Sequence, residues 1–331
     1  MRPAGDRARY RRVVQPVDLR PLRAGEILDV AIKIYRSNAG TLFRLVAIVV
    51  APVQALTVLV LASAVPDARF LVPEIGVEPT PQQIRNFGPE DIWPFVAGTV
   101  VVIILTLIST TLSTAACFKA VGDAYLGNKP RWRPSLSFAA KHLGAVLWVA
   151  FLGTCAWLAP FVVSALAAVP LALAGIDGGV AVGLVVITLL VAAGVAVWLY
   201  VSYAVAVPAL LTEEVRGPRA LARSYRLVKG RWWPTFGILA VGSILAGIVG
   251  NVIGVAFTGI TFTDVGENTV LSLIINALGG TIASVLTTPF TAAFVAVMYF
   301  DLRVRKEGMD LELLADRMGA APPYPPLKED R

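Results

Sequence analysis

Hydrophobic residues occur along this chain in long blocks, and short polar segments separate the blocks. Six blocks are each long enough to cross a hydrocarbon core, which takes about 20 apolar residues in a helix. The six blocks are residues 41–65, 94–117, 143–174, 179–211, 235–258 and 271–300. This pattern predicts an all-α integral membrane protein built as a six-helix transmembrane bundle.

A shorter segment with helical periodicity and a basic face precedes each pair of apolar blocks. The clearest precedes the fifth block, where Leu221, Tyr225 and Val228 recur at the spacing of one helix face. The segment around Ile27 is similar, and the segment 135–142 is weaker. We expect cytoplasmic, interfacial amphipathic helices at these places. The chain then consists either of three repeats of a surface helix plus two spans, or of three segments that converged on one charge pattern.

Charged residues are scarce and unevenly distributed. Hydrophobic residues make up 56% of the chain and charged residues 15%, against about 25% charged in a typical soluble domain. Of the 29 Lys and Arg residues, 27 lie on one side of the six blocks, and only Arg69 and Arg85 lie on the other. The positive-inside rule therefore predicts a protein of the cytoplasmic membrane with both termini on the cytoplasmic side. The net positive charge has this same origin, so we do not expect nucleic-acid binding.

Composition divides the chain into three parts. Residues 1–20 are rich in Arg and lack apolar periodicity, which predicts a disordered basic arm. Residues 21–315 form the predicted six-span membrane domain, and residues 316–331 form a Pro-rich cytoplasmic tail that cannot continue a helix. Within the membrane domain, the external loop 66–93 carries several prolines and should lack a long helix.

Residues with catalytic chemistry are few. His142 is the only histidine, and the common nucleophile, phosphate-loop and zinc-protease motifs are absent from the sequence. The six blocks carry no charge at depth, whereas intramembrane charges are typical of ion-coupled transport. We therefore expect a protein that is not an enzyme and that holds no metal ion and no cofactor.

The most distinctive polar stretch lies between the fourth and fifth blocks, where cations stand beside aromatic residues. Clustered cations attract anionic lipid at about 1 kcal/mol each, and tryptophans anchor at the headgroup level. The stretch therefore predicts contact with lipid headgroups or other anions or, as the alternative, a topology anchor without selectivity. The candidate residues are Arg219, Arg223, Arg226, Lys229, Arg231, Trp232 and Trp233.

A second group of polar residues lies inside the last two blocks: Asn251, Asn276, Ser284 and Thr288. These residues would line a cavity in a transporter, or they would tie neighbouring helices together through hydrogen bonds worth roughly 0.6 kcal/mol each. Small residues at GxxxG spacing in 250–254 would also let helices approach closely, within one chain or between two copies in a homo-oligomer.

Three motifs together resemble a known family. They are residues 20–29 (RPLRAGEILD), 220–233 (ALARSYRLVKGRWW) and 299–310 (YFDLRVRKEGMD). They look like the membrane domain attached to some glycerophosphoryl diester phosphodiesterases, which also occurs alone in YciC-like bacterial membrane proteins. The resemblance covers about residues 20–315. It implies a membrane domain without the catalytic barrel of the phosphodiesterases, so no catalytic residue is carried over.

These features favour a polytopic membrane protein that acts as a non-enzymatic scaffold or accessory protein at the cytoplasmic face. Its expected partners are membrane lipids, anionic ones in particular, and a protein that the sequence does not identify. The alternative is a small-molecule or lipid transporter, with a cavity lined by the polar residues of the fifth and sixth spans.

Overall fold

The computed structural model describes residues 21–64, 89–173, 178–213, 215, 217–261 and 269–308. Within these residues the chain forms helices and turns, without a strand. The helices are α1 Ala24–Ser37, α2 Ala39–Ala64, α3 Pro89–Tyr125, α4 Trp132–Leu173, α5 Gly178–Tyr203, α6 Ala206–Glu213, α7 Pro218–Val228, α8 Trp232–Thr261 and α9 Thr269–Glu307. The predicted arm 1–20, most of the loop 66–93 and the tail 316–331 lie outside the described residues.

Six membrane spans are confirmed by the helix lengths. The spans are α2, α3, α4, α5 continued by α6, α8 and α9, each apolar enough to cross a bilayer. The chain is therefore a multi-pass, all-α membrane protein. The three longest helices exceed their predicted spans by the most: α3 has 37 residues, α4 has 42 and α9 has 39. At 1.5 Å per residue, α4 is roughly 63 Å long and must project beyond a hydrocarbon core about 30 Å thick.

Separate amphipathic helices are found at two of the three predicted places. Helix α1 precedes the first span, and α7 precedes the fifth. Helix α7 is set apart by Gly217 and Gly230, which have φ angles of 61° and 85° that favour glycine. The prediction of a third surface helix at 135–142 is wrong, because these residues are the first turns of α4. Nothing after Pro134, which lies in the first turn, interrupts the helix before the apolar block.

The fourth predicted span, 179–211, is broken near its end. Helix α5 stops at Tyr203, and α6 restarts at Ala206. Pro208 has no backbone N–H, and its ring clashes with the carbonyl four residues earlier, so a regular helix cannot pass through 204–205. The buried Ser224 of α7 bridges the break: its hydroxyl accepts a hydrogen bond from the Val205 N–H at 3.2 Å and donates one to the Ser202 carbonyl at 2.8 Å.

The spans pack in an arc rather than in a closed ring. Helix α8 packs on α9, α9 on α2, α2 on α3, α3 on α4, and α4 on α5. The two ends of the arc, α5 and α8, share much less contact. They meet where Trp232 of α8 donates a hydrogen bond at 3.4 Å to the carbonyl of Trp198 on α5.

Exposed apolar side chains form a belt around the spans. We call this the apolar belt, and its large exposed residues fall within 48–59, 93–108, 148–166, 180–200, 241–260 and 270–282. Each stretch rises roughly 17–30 Å, which lies within the thickness of the hydrocarbon core of a bilayer. Because lipid is as apolar as these side chains, helices in the belt need little burial between one another.

The main buried core lies at one end of this belt. It is formed by α1, α6 and α7 with the neighbouring ends of the spans, which are residues 42–50 of α2, 109–125 of α3, 132–149 of α4, 201–203 of α5, 232–239 of α8 and 285–307 of α9. Together with the connecting residues 126–131 and 229–231, we call this part of the molecule the basic cap. Residues 292–302 of α9 are all buried, so this half of α9 is the centre of the cap. The six-helix bundle is thus best packed where its helices extend past the apolar belt, where apolar side chains would otherwise meet water or headgroups.

Candidate functional site

The charged residues at the end of α9 hold the other helices of the basic cap in place. Asp301, which is only 6% exposed, accepts a hydrogen bond from the Leu22 N–H at 2.7 Å. Arg305 donates to the second oxygen of Asp301 at 2.8 Å and also to the Leu22 carbonyl. Both backbone groups of Leu22 are therefore paired with side chains of α9, and this clamp fixes the start of α1.

A second cluster ties α6, α7 and α9 together, and we call it the ion-pair network. Arg223 of α7 donates to Glu213 at 2.6 Å and to Glu307 at 2.7 Å. Tyr299 donates to Glu213 at 2.6 Å, and Arg303 donates to Glu307 at 3.2 Å. Partial burial opposes the charge of Arg223, but its hydrogen bonds to Glu307 and Glu213 outweigh this effect and raise its pKa. Arg223 is therefore a permanent cation with two fixed carboxylate partners.

The carboxyl end of α7 is capped by a lysine. The Lys306 ammonium donates to the carbonyls of Arg226, at 2.6 Å, and of Lys229. A cation is favourable there, because the last carbonyls of a helix are unpaired and carry the negative end of its dipole. With this contact, every charged residue from Asp301 to Glu307 has a partner inside the basic cap.

The remaining cations of the predicted lipid-contact set are placed differently. Arg219, Arg226 and Lys229 are exposed, and none of them forms an ion pair with another described residue. We call these three side chains the α7 surface. Arg223 belongs to the ion-pair network, so it does not share this exposure. The structure thus separates one basic helix into a paired face and an unpaired face.

The two predicted tryptophans follow directly after the α7 surface. Trp232 stacks on Phe236, with ring centroids 5.3 Å apart, and lies partly buried at the contact with α5. Trp233 is 75% exposed. Indole rings favour the headgroup level of a bilayer. Arg231, the last predicted cation, lies half-buried at the edge of a cleft.

The predicted cavity residues of the last two spans are not gathered in one place. Asn251 donates to the Gly247 carbonyl at 2.8 Å within α8, and it is exposed. Asn276 is also exposed, and it accepts a hydrogen bond from Thr258 at 3.1 Å. Ser284 and Thr288 are half-buried further along α9, Thr288 roughly 18 Å from Asn276 at the rise of an α-helix. Asn276 of α9 thus links two helices.

Three clefts are found in or beside the basic cap, and none of them is lined by these four polar residues. The first cleft, of about 320 Å³, lies between α1, α8 and α9; its polar lining includes Arg23, Arg231, Asp301 and Arg305. The second cleft, of about 250 Å³, lies between the same three helices and is almost wholly apolar. The third, of about 290 Å³, lies between α3, α4, α6 and α9 beside the Lys119–Asp123 ion pair.

Sequence reasoning missed the part played by Arg23, Asp301 and Arg305. All three occur in the motifs that carry the family resemblance, which was the available signal. Their pairing depends on residues that are far apart in sequence, such as Leu22 and Asp301, and no local spacing reveals it. Ser224 was missed for the same reason, since its partners are the backbone groups of a helix break.

Comparisons with known proteins identify a family for this chain but no biochemical role. No curated protein matches the chain significantly, and no solved structure does so either. One family model matches residues 18–331, which is nearly the whole chain. The match includes all of the helices, the clamp at Leu22 and the ion-pair network. The chain therefore belongs to the family described as Domain of unknown function (DUF8558).

Proposed function

We propose that this protein is a non-enzymatic scaffold or accessory protein, whose α7 surface contacts anionic lipid headgroups at the cytoplasmic face of a bacterial inner membrane. One observation carries the proposal. Arg219, Arg226 and Lys229 are exposed and unpaired among the described residues, although neighbouring cations of the cap are paired with carboxylates. The carboxylates of the ion-pair network are thus occupied by Arg223 and Arg303, and the three cations of the α7 surface remain available to outside anions.

The physical basis is the negative potential of the cytoplasmic leaflet. Each cation near an anionic surface contributes about 1 kcal/mol, so the three residues together contribute about 3 kcal/mol at moderate salt. The exposed Trp233 beside them favours the headgroup level. The cations of the α7 surface and the Trp233 side chain therefore support the same orientation, with the basic cap at the inner leaflet. A partner protein bound at this face is also part of the proposal.

Lipid composition around the purified protein tests this function. The protein is extracted into polymer nanodiscs from a membrane of known composition, and the anionic fraction of its lipids is measured. The variant Arg219→Gln/Arg226→Gln/Lys229→Gln should lose most of the anionic enrichment. The control Lys129→Gln/Arg131→Gln/Lys141→Gln removes the same charge from exposed positions of the cap outside α7. Equal losses in both variants would show a general charge effect and refute a role for the α7 surface.

Kinship with the membrane domain of the glycerophosphoryl diester phosphodiesterases is a second part of the proposal. It is supported by the three motifs, which in the structure meet one another in the basic cap. The first motif supplies Leu22, the second supplies Ser224 and Arg223, and the third supplies Asp301 and Glu307. If this chain and the phosphodiesterase membrane domain share the same cap, the residues that hold the cap together should recur in both proteins. The roles that these motifs have here are structural.

Transport is the second candidate function, and one observation favours it. Asn251 and Asn276 are exposed within the apolar belt, where an amide facing lipid is unfavourable. A polar path or a second helix at this face would satisfy both residues. The variant Asn251→Leu/Asn276→Leu should abolish uptake in a reconstituted flux assay if they line a path. Unchanged flux, or no flux in the parent protein, would leave the scaffold function as the better account.

A further inference from the structure

We propose that the seam between α1, α8 and α9 binds a single membrane amphiphile with a phosphate head, whose head occupies the first cleft and whose alkyl chain runs toward the second cleft. The proposal rests on the proposed function in that it places this part of the cap at the inner leaflet. It adds a defined stoichiometric site to the diffuse attraction of the α7 surface.

The first cleft has the charge that a phosphate head requires. Three arginines line it, Arg23, Arg231 and Arg305, against one carboxylate, Asp301. Asp301 is already paired with Arg305, whereas neither Arg23 nor Arg231 forms an ion pair with another described residue. Guanidinium groups bind phosphate oxygens in a bidentate way and lose less hydration than ammonium groups. Two arginines that form no ion pair with another described residue therefore line one concave space.

The floor of the first cleft suits the apolar part of an amphiphile. Below the arginines it is lined by Ile27, Ile238 and Met298, all buried. A ligand that combines a charged head with a hydrocarbon chain packs against this apolar lining, whereas an inorganic anion alone makes no such contact.

The second cleft continues in the direction of the membrane. It is lined by Ile32 and Tyr35 of α1, Leu245 and Val249 of α8, and Phe290 of α9. Leu245 and Val249 are exposed members of the apolar belt, so the cleft borders the region where lipid chains lie. From Pro234 in the first cleft to Leu245 in the second, α8 rises roughly 16 Å. An extended alkyl chain covers this length, running outside the packed contact of Gly242 with Phe294 that lies between the two clefts.

Hydrogen bonds hold α1 against α9 at both of its ends, which favours clefts of constant shape between these helices. The clamp of Asp301 and Arg305 on Leu22 holds the residue before Arg23 against α9. At the other end of α1, Tyr35 donates a hydrogen bond to the Leu286 carbonyl at 3.1 Å. Both ends of the wall formed by α1 are therefore anchored to α9, and the two clefts keep their spacing.

Ligand binding to the full chain in nanodiscs of zwitterionic lipid tests the site. Three probes are compared by native mass spectrometry: lysophosphatidic acid, a monoacylglycerol of the same chain, and inorganic phosphate. Lysophosphatidic acid should bind with one molecule per chain and at least tenfold more tightly than either other probe. Equal binding of the monoacylglycerol would overturn the role of the arginines, and equal binding of inorganic phosphate would overturn the role of the apolar floor.

Variants locate the site. Arg23→Gln/Arg231→Gln should weaken lysophosphatidic acid binding at least tenfold, and Val249→Trp, which fills the second cleft, should also weaken it. The control Arg219→Gln/Arg226→Gln removes the same charge from the α7 surface and should leave the bound molecule in place. Thermal unfolding of each variant reports its folding, and Leu245→Phe replaces Val249→Trp if that variant unfolds. Unchanged binding in the first variant would overturn the proposal.

The two proposals fail in different ways. Loss of anionic enrichment in the α7 variants with the single bound molecule retained would support both. If the α7 variants keep their enrichment but Arg23→Gln/Arg231→Gln loses the bound molecule, the proposed function of the α7 surface fails and the seam site stands. If only the bulk enrichment is found, and no stoichiometric molecule, the seam site fails.

Discussion

Replacing Ser224 with alanine should destabilise the basic cap without changing its charge or its apolar packing. The Ser224 side chain is fully buried, and its hydroxyl pairs with the Val205 N–H at 3.2 Å and with the Ser202 carbonyl at 2.8 Å. Alanine removes one oxygen atom and leaves both backbone groups at the helix break without this partner. The broken span and α7 would then be joined by apolar contact and by the ion-pair network alone.

The magnitude follows from the cost of unpaired buried groups. Each buried backbone donor or acceptor left without a partner costs about 1–3 kcal/mol, so the loss of both should lower the free energy of unfolding by about 2–6 kcal/mol. Water that reaches the helix break would pair with these backbone groups, so the loss of unfolding free energy would then lie near the lower value. The effect is larger than that of an ordinary surface substitution, which stays within about 0.5 kcal/mol.

Unfolding in detergent, followed by circular dichroism and by tryptophan fluorescence, measures this loss. Trp198 of α5 lies against Tyr225 of α7, with ring centroids 6.0 Å apart, so fluorescence reports on the same contact. The matched control is Ser137→Ala in α4, which removes a hydroxyl from an exposed position. A loss of stability no greater than that of the control would refute the proposed bridging role of Ser224.

Three further predictions concern the basic cap and the span contacts. Glu213→Gln removes the carboxylate shared in the ion-pair network and should lower stability by about 1–3 kcal/mol in the same unfolding assay; no change would show that its ion pairs are fully offset by desolvation. Asp301→Ala removes both acceptor oxygens of the clamp on the start of α1, so limited proteolysis should cut near residue 22 faster than in the parent protein, and equal rates would contradict the clamp. Gly242→Ala places a Cβ 2.8 Å from the Phe294 ring and should cost about 1–3 kcal/mol. Gly247→Ala meets nothing within 4 Å and should be neutral or stabilising, so equal losses in the two glycine variants would contradict the close packing of α8 on α9 at Gly242.

The spans were predictable from sequence because the bilayer sets their length. About 20 apolar residues without a charge are needed in each, and the pattern shows six such blocks. The basic cap was not predictable in the same way. Residues 292–300 continue the apolar block of α9, and nothing in their composition distinguishes a segment surrounded by lipid from one surrounded by other helices. Hydropathy measures the preference for leaving water, which both environments satisfy.

The predicted site shows a similar limit. Arg219, Arg223 and Arg226 share the basic face of one helix, and the sequence pattern assigns them one role. In the structure Arg223 meets Glu213, ten positions earlier, and Glu307, 84 positions later. Which of several neighbouring cations is paired depends on where distant carboxylates are brought by the fold. The sequence could therefore predict a basic, tryptophan-edged surface, but it could not predict which cations remain available.

Contact between the α7 surface and anionic headgroups is tested most directly by photo-crosslinking in the membrane. The protein is reconstituted with a photoreactive anionic lipid or with a zwitterionic lipid that carries the same reactive group in its head. Mass spectrometry then maps the modified residues. We predict that crosslinks from the anionic probe concentrate within residues 219–233, whereas those from the zwitterionic probe are spread along the rim of the apolar belt. The same distribution for both probes would contradict the proposed function.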